Sequence, residues 1–309
     1  MAEVQAPGLG QALDVSVPTT ATAGSDEVVT GPRLGLSGML AAGWLVLVTG
    51  LALLAPVLPL PDPNRFDPDL RYTLPGTPGA LLGGDNLGRD VLSRVVWGGR
   101  ISLLVGVASI AIGLVVGGTL GLVAGFSRSR LARVLVVAFD VLLAIPQVVL
   151  ALALVAVLAG GDGVSDSRRV VVQIVALGVV AVPLMARITR AATLTWAERE
   201  FVTAARAIGT PPSRILRREV LPNVLPAMLA FACLGVAVAV VAEGGLAVLG
   251  VGIATRPTWG NMIAQNVNDL ARSYHVVFAA STCTFLTVLS LNHLGDHVKR
   301  RTDPRRSLL

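Results

Sequence analysis

Six apolar runs, each long enough to cross hydrocarbon as a helix, constrain this chain most. They lie at residues 34–60, 101–126, 131–159, 170–196, 225–252 and 275–294. A bilayer core about 30 Å thick takes about 20 residues of helix to span. It holds no water for backbone N–H and C=O groups, so a spanning segment must satisfy them as a helix or in a closed barrel. Continuous runs of this length point to helices. The expected fold class is an all-α membrane protein with six transmembrane helices. Composition agrees: 53% of the 309 residues are hydrophobic and 14% charged, with mean hydropathy +0.73, a balance rare in soluble domains.

The segments around these runs divide the chain. Residues 1–32, rich in Ala, Thr, Gly, Pro and Ser, read as a disordered cytoplasmic tail; a basic start and an early apolar run, the marks of a secretory leader, are missing. Residues 33–99 comprise the first span, an external segment and an interfacial helix. Pro56, Pro59, Pro61 and Pro63 end the span, and the Pro- and Asp-rich stretch beyond cannot stay helical for long. Asp85 is placed to cap the interfacial helix, in which Leu87, Val91 and Val95 share a face and Asp90 and Arg94 form an i,i+4 pair. Residues 100–294 form a core of five spans, with Asp140 inside the third run and a kink predicted at Pro146. Residues 295–309 form a basic cytoplasmic tail.

Net charge is +6 and the isoelectric point near 10.5, values that fit either nucleic-acid binding or membrane topology. The arginines stand beside the apolar runs rather than on one soluble face, which favours topology and argues against a nucleic-acid partner. Arg128, Arg130 and Arg133, the arginines of 187–218 and those of the C-terminal tail fall on one side of a six-span arrangement. The positive-inside rule makes that side cytoplasmic, with both termini on it. Lys299 is the only lysine, so no phosphate-binding GxxxxGK[ST] loop exists and any ATP must be bound by another subunit. No cofactor is implied. Cys233 and Cys283 lie in apolar runs and read as small hydrophobes. His293 and His297 have an i,i+4 spacing that can hold a metal, but no Glu stands at the metalloprotease position, and surface histidines are the plainer reading. No G-x-S-x-G elbow or Ser-His-Asp set supports an enzyme.

One polar, arginine-rich stretch interrupts two strongly apolar runs: 200–226, inside the loop 197–224. Phe201, Ala204, Ala205 and Ile208 recur at helical spacing, with Arg199, Thr203 and Arg206 on another face. Gly209 then ends that helix, as glycine does at a left-handed C-terminal position. Thr210 is the expected N-cap of a second short helix, with Pro211 at its tolerated start, Ile215, Leu216 and Val220 along it, and Pro222 stopping or kinking it.

This helix–turn–helix resembles the EAA loop of ABC importer permeases, whose pattern is Glu-Ala-Ala, three residues, Gly, then an apolar residue near Leu-Pro. Here it reads Thr203-Ala204-Ala205, Gly209 and Leu221-Pro222. The family glutamate is replaced by Thr203, and a position often isoleucine is Glu219. The resemblance implies that Glu200, Phe201, Thr203, Ala204, Ala205, Arg206, Gly209, Leu221 and Pro222 form the loop that couples to the ATPase. The alternative is an ordinary cytoplasmic loop bearing an amphipathic helix. A second string, Gly84-Asp85, Gly88-Arg89-Asp90-Val91 and Ser93-Arg94, is similar to the lead-in of C-type permeases of the oligopeptide, dipeptide and nickel class. A third, Glu243, Leu246, Leu249-Gly250, Gly252 and Trp259-Gly260, follows the same class, and Asp140 matches a family aspartate ahead of Ile145-Pro146, with Arg133 or a neighbour as its partner.

The resemblance implies the type I ABC importer permease (MetI-like) fold in a bacterial inner or plasma membrane, and transport of di- or oligopeptides. The implied partners are a B-type permease, one or two ATP-binding subunits, an extracellular or periplasmic substrate-binding protein and membrane lipid. Intramembrane carboxylates are costly unless paired or lining a cavity. Glu243 is therefore read either as pathway lining or as a helix–helix hydrogen bond beside Gly244 and Gly245. A rival function is an ion- or proton-coupled secondary transporter that uses Asp140 or Glu243 as its carrier.

Overall fold

The computed structural model describes residues 35–159, 165–253 and 255–302. The tail expected at 1–32 and the end of the one at 295–309 lie outside the described residues. Among the described residues the long elements are all helices and no strand occurs.

The first span, α1 (Leu36–Leu54), ends ahead of Pro56. The stretch after it holds only a 3-10 turn at Pro68–Leu70. Helix α2 (Val91–Phe126) then runs unbroken across the expected interfacial helix and second span, with a π-turn at Gly113–Gly117. The separate interfacial helix is not there. Gly88, at φ +72, ends any helix between Asp85 and Asp90. The cap is accordingly Asp90, whose carboxylate accepts from Ser93 N at 2.7 Å, and not Asp85.

Asp85 does different work. It is fully buried, accepts from Leu87 N and Arg89 N at 2.9 Å each and from Arg89 Nε at 2.7 Å, and faces Arg94 Nε at 3.5 Å. Arg94 thus pairs with Asp85 and not with Asp90. This clasp also reaches across the fold: Arg89 Nη2 donates to Gln265 Oε1 at 2.8 Å, and His275 Nε2 meets Gly84 O at 3.1 Å.

The third apolar run is broken rather than kinked. Helices α3 (Arg130–Ala144) and α4 (Gln147–Leu158) meet at 91°. Ile145 is extended (φ −79, ψ 129), as a residue before proline prefers, and the chain turns a corner there. Helix α5 (Asp166–Ala197) carries Pro183 inside it, and α6 (Glu200–Ala207) follows. Helix α7 (Pro212–Val248) comes next. Helices α8 (Trp259–Asn266) and α9 (Leu270–Thr302) complete the chain. Helices α1, α2, α5 and α7 and the segment Trp259–Arg300 are each long and apolar enough to span a membrane, and α3 with α4 supplies a bent sixth.

Helix α2 packs on α5 through glycines at every fourth residue. A Cβ on Gly117 would stand 2.3 Å from Val182 O, and one on Gly121 2.3 Å from Ala186 O. Such spacing lets two backbones touch where lipid offers no hydrophobic drive for association. Outside this core, α1, α3 and α4 turn Val46, Val134 and Val157 outward, the chemistry that hydrocarbon surroundings accept.

Candidate functional site

The polar stretch after α5 folds as an anchored tip. Glu200 stands in the first turn of α6 and Arg206 in the last, both favourable to the helix dipole. Val202 is completely buried in a cluster with Leu122, Ile215, Val220, Val224 and Met228, against which Ala205 and Trp196 also pack. Trp196 and Phe201 rings lie 6.3 Å apart, and the Arg199 guanidinium sits 5.5 Å over Trp196. At the far end, Thr210 N donates to Ala205 O at 3.1 Å and Gly209 N to Arg206 O at 3.0 Å. Those two bonds, with Gly209 at φ +78, make a Schellman close.

The second half departs from expectation. Pro211 is the N-cap and Pro212 the first helical residue, where its missing N–H costs nothing; Thr210 lies one residue outside. Pro222 does not stop the helix. A π-turn at Leu216–Val220 absorbs the lost N–H and the ring, and Asn223 Nδ2 donates to Glu219 O at 2.6 Å. The helix therefore continues from the loop into the span as α7.

Burial sorts the loop residues. Glu200, Thr203, Ala204, Arg206, Gly209 and Pro222 are exposed, and Ala205 and Leu221 are half-buried. Phe201 is 38% and Ile208 83% exposed. The Phe201–Ala204–Ile208 stripe therefore turns away from the chain, and Val202, unnoticed in the sequence, holds α6 down. Its signal was the apolar pair Val202 and Ala205, which shares a side with Ile215 and Val220.

The buried glutamate sits elsewhere. Glu243 on α7 is wholly buried, and its Oε2 accepts from Ser102 Oγ on α2 at 3.1 Å. Ser102 Oγ in turn accepts from Trp259 N at 3.1 Å. Close approach makes this possible: a Cβ on Gly260 would stand 2.3 Å from Gly244 Cα. Three helices thus meet at one carboxylate. Trp259 Nε1, also buried, donates to Val95 O at 3.0 Å.

Asp140 is not part of that meeting point. It is exposed on α3, which packs on α2 and α5, and among the described residues no ion pair joins it to Arg133 or to another neighbour. His293 is exposed and His297 half-buried, and among the described residues no group of three metal-ligating side chains occurs. Cys233 and Cys283 are free thiols, half-buried among apolar residues.

Residues 117–308 match the model of the family described as binding-protein-dependent transport system inner membrane component. The chain belongs to that family. It is a multi-pass permease subunit and not an enzyme. The permease is 36% identical over 276 residues to the di/tripeptide transport system permease protein DppC of Pseudomonas aeruginosa, covering 87% of this chain and 88% of that one. It is 34% identical over 268 residues to the glutathione transport system permease protein GsiD of Pectobacterium atrosepticum, with 86% of each chain covered. The probable peptide ABC transporter permease protein y4tQ of Sinorhizobium fredii is 35% identical over 268 residues, covering 86% of this chain and 88% of that one. Family membership decides against the secondary-transporter alternative, and the two carboxylates it would use lie in unlike surroundings, Glu243 buried and Asp140 exposed.

Proposed function

We propose that the permease is the C-type subunit of an ATP-driven importer of di- or oligopeptides and that the exposed side of α6 receives an ATPase subunit. The names of its relatives, which carry di/tripeptide, glutathione and peptide cargo, support the cargo class. The docking role rests on one observation: a short helix fixed from behind by Val202 presents Phe201, Ala204 and Ile208 outward. Small Ala204 lets a partner backbone come close, and Ile208 offers apolar surface that no described residue covers.

In this reading a B-type permease completes the pathway, and an extracellular binding protein delivers cargo. The arginine-rich side that holds α6 is cytoplasmic, as are both termini. Closure of two ATPases around ATP draws the paired loops together. Because α7 runs unbroken from the loop into the membrane, displacement at the tip is carried to the spans as a rigid-body movement.

The test is co-purification of the assembled importer carrying Ala204→Arg. The expected result is loss of the ATPase subunits while the second permease subunit stays bound. Retention of the ATPase at wild-type levels would remove α6 from the interface.

A further inference from the structure

At the end of the bundle that carries α6, a cavity of about 510 Å³ opens between the end of α2, the start of α3 and the last turns of α5. Arg128, Arg133, Arg190 and Arg206 line it, and Glu198 is the one carboxylate among its lining residues. None of these arginines makes an ion pair among the described residues. Arg206 lies with its guanidinium 5.2 Å over the Phe126 ring, which leaves its N–H edge available. Arg190 Nε is buried at the cavity wall with no hydrogen-bond acceptor. A buried guanidinium N–H without an acceptor is costly, and this one shares its space with the exposed Arg128, Arg133 and Arg206, a surplus of positive charge that suits an anion.

Apolar residues line it as well: Val136 and Val137, one turn along α3 from Arg133, and Leu194, one turn along α5 from Arg190. Guanidinium forks match phosphate oxygens two at a time. Free phosphate has no use for a wall of valines, whereas a phospholipid has both a phosphate and hydrocarbon beside it. The cavity also lies at the ends of α2 and α5, both long and apolar enough to span a membrane. We propose that this cavity is a site for the phosphodiester headgroup of an anionic phospholipid, with Arg133 and Arg190 as its principal ligands. The assignment does not depend on the docking role of α6.

The experiment is native mass spectrometry of the full-length chain in mild detergent, after equilibration with an equimolar mixture of phosphatidylglycerol and phosphatidylcholine. Wild type is expected to retain phosphatidylglycerol preferentially. The double variant R133Q/R190Q should retain about ten-fold less, the loss of charge-assisted bonds to phosphate. R187Q, an exposed arginine of α5 outside the cavity, should retain as much as wild type. If R133Q/R190Q does not fold, R128Q, on the exposed α2–α3 linker, should still lower retention. Excess inorganic phosphate should leave the bound lipid in place. Equal retention of the two lipids overturns the proposal, as does unchanged phosphatidylglycerol in the folded arginine variants. Displacement by inorganic phosphate to the level of R133Q/R190Q overturns the lipid assignment.

Discussion

Val202 and Ile215, on either side of the Gly209 turn, are both completely buried in one apolar cluster. The base of the loop is therefore held while its tip, from Arg206 to Gly209, reaches outward. A loop built this way can transmit force, because pushing its tip moves packed helices rather than slack chain.

Gly209 is the position where that geometry is least forgiving. A Cβ there would meet nothing within 4 Å, so the obstacle is the backbone, at φ +78, and not space. A β-branched residue in this region costs about 1–2 kcal/mol. Gly209→Val should abolish uptake by the reconstituted importer while leaving the amount of permease in the membrane unchanged. Gly209→Asn, which tolerates the left-handed region, should keep most activity. Parallel uptake and membrane-fraction blots check both, and normal uptake by the valine variant would count against a coupling role.

Val202 and Ile208 separate anchoring from presentation. Val202→Ala removes buried methyl groups and should destabilise the permease by about 1–3 kcal/mol. Ile208→Ala trims a side chain that is 83% exposed and should change stability by no more than about 0.5 kcal/mol. Thermal unfolding in detergent measures the first, and ATPase co-purification should reveal a loss for Ile208→Ala that stability does not explain.

Much of this architecture is legible in the residues, and the failures have physical causes. Apolar length located the spans because hydrocarbon thickness fixes helix length. Gly209 was readable because a left-handed C-terminal position selects glycine. Pro222 has two outcomes, a stop or an absorbed π-turn, and only the π-turn formed at Leu216–Val220 decides for the second. Asp85 and Asp90 were exchanged because both precede apolar residues at capping distance; the left-handed Gly88 between them settles which one caps. Pro146 alone predicts a kink, but its extended neighbour Ile145 makes it a corner of 91°. The Gly113, Gly117, Gly121 and Gly125 series is a small-residue repeat that apolar periodicity does not register, and it specifies the α2–α5 contact more sharply than any apolar pattern.

That series supports a stability prediction. Gly121→Ala places a Cβ 2.3 Å from Ala186 O, so the two helices must separate. The expected cost is about 1–3 kcal/mol, the range for overpacking a fitted interface. Gly245→Ala, on α7 where a Cβ meets nothing within 4 Å, should be neutral or slightly stabilising. Fluorescence-detected size exclusion after heating ranks the pair.

The Asp85 clasp gives a second pairing. Asp85→Ala leaves Arg94 buried without its countercharge and should cost about 3–5 kcal/mol. Asp90→Ala removes only a helix cap and should cost about 1 kcal/mol. Comparable losses from the two variants, measured by thermal unfolding, would mean that Arg94 draws on Asp90 after all.

Glu243 allows packing and pathway roles to be told apart. Its Oε2 accepts the Ser102 hydroxyl proton, and Ser102 Oγ takes the Trp259 N–H, so the carboxylate terminates a chain linking α7, α2 and α8. Glu243→Gln keeps a carbonyl acceptor in nearly the same shape, so that chain survives. Glu243→Leu leaves the buried Ser102 hydroxyl without its acceptor, a loss of about 1–3 kcal/mol. A packing role predicts that Glu243→Gln retains both folded yield and uptake, while Glu243→Leu lowers the two in proportion. Uptake per folded permease is the deciding quantity. If Glu243→Gln reaches the membrane in full amount yet fails to transport, the charge itself acts in the transport cycle, and the hydrogen bond to Ser102 is secondary.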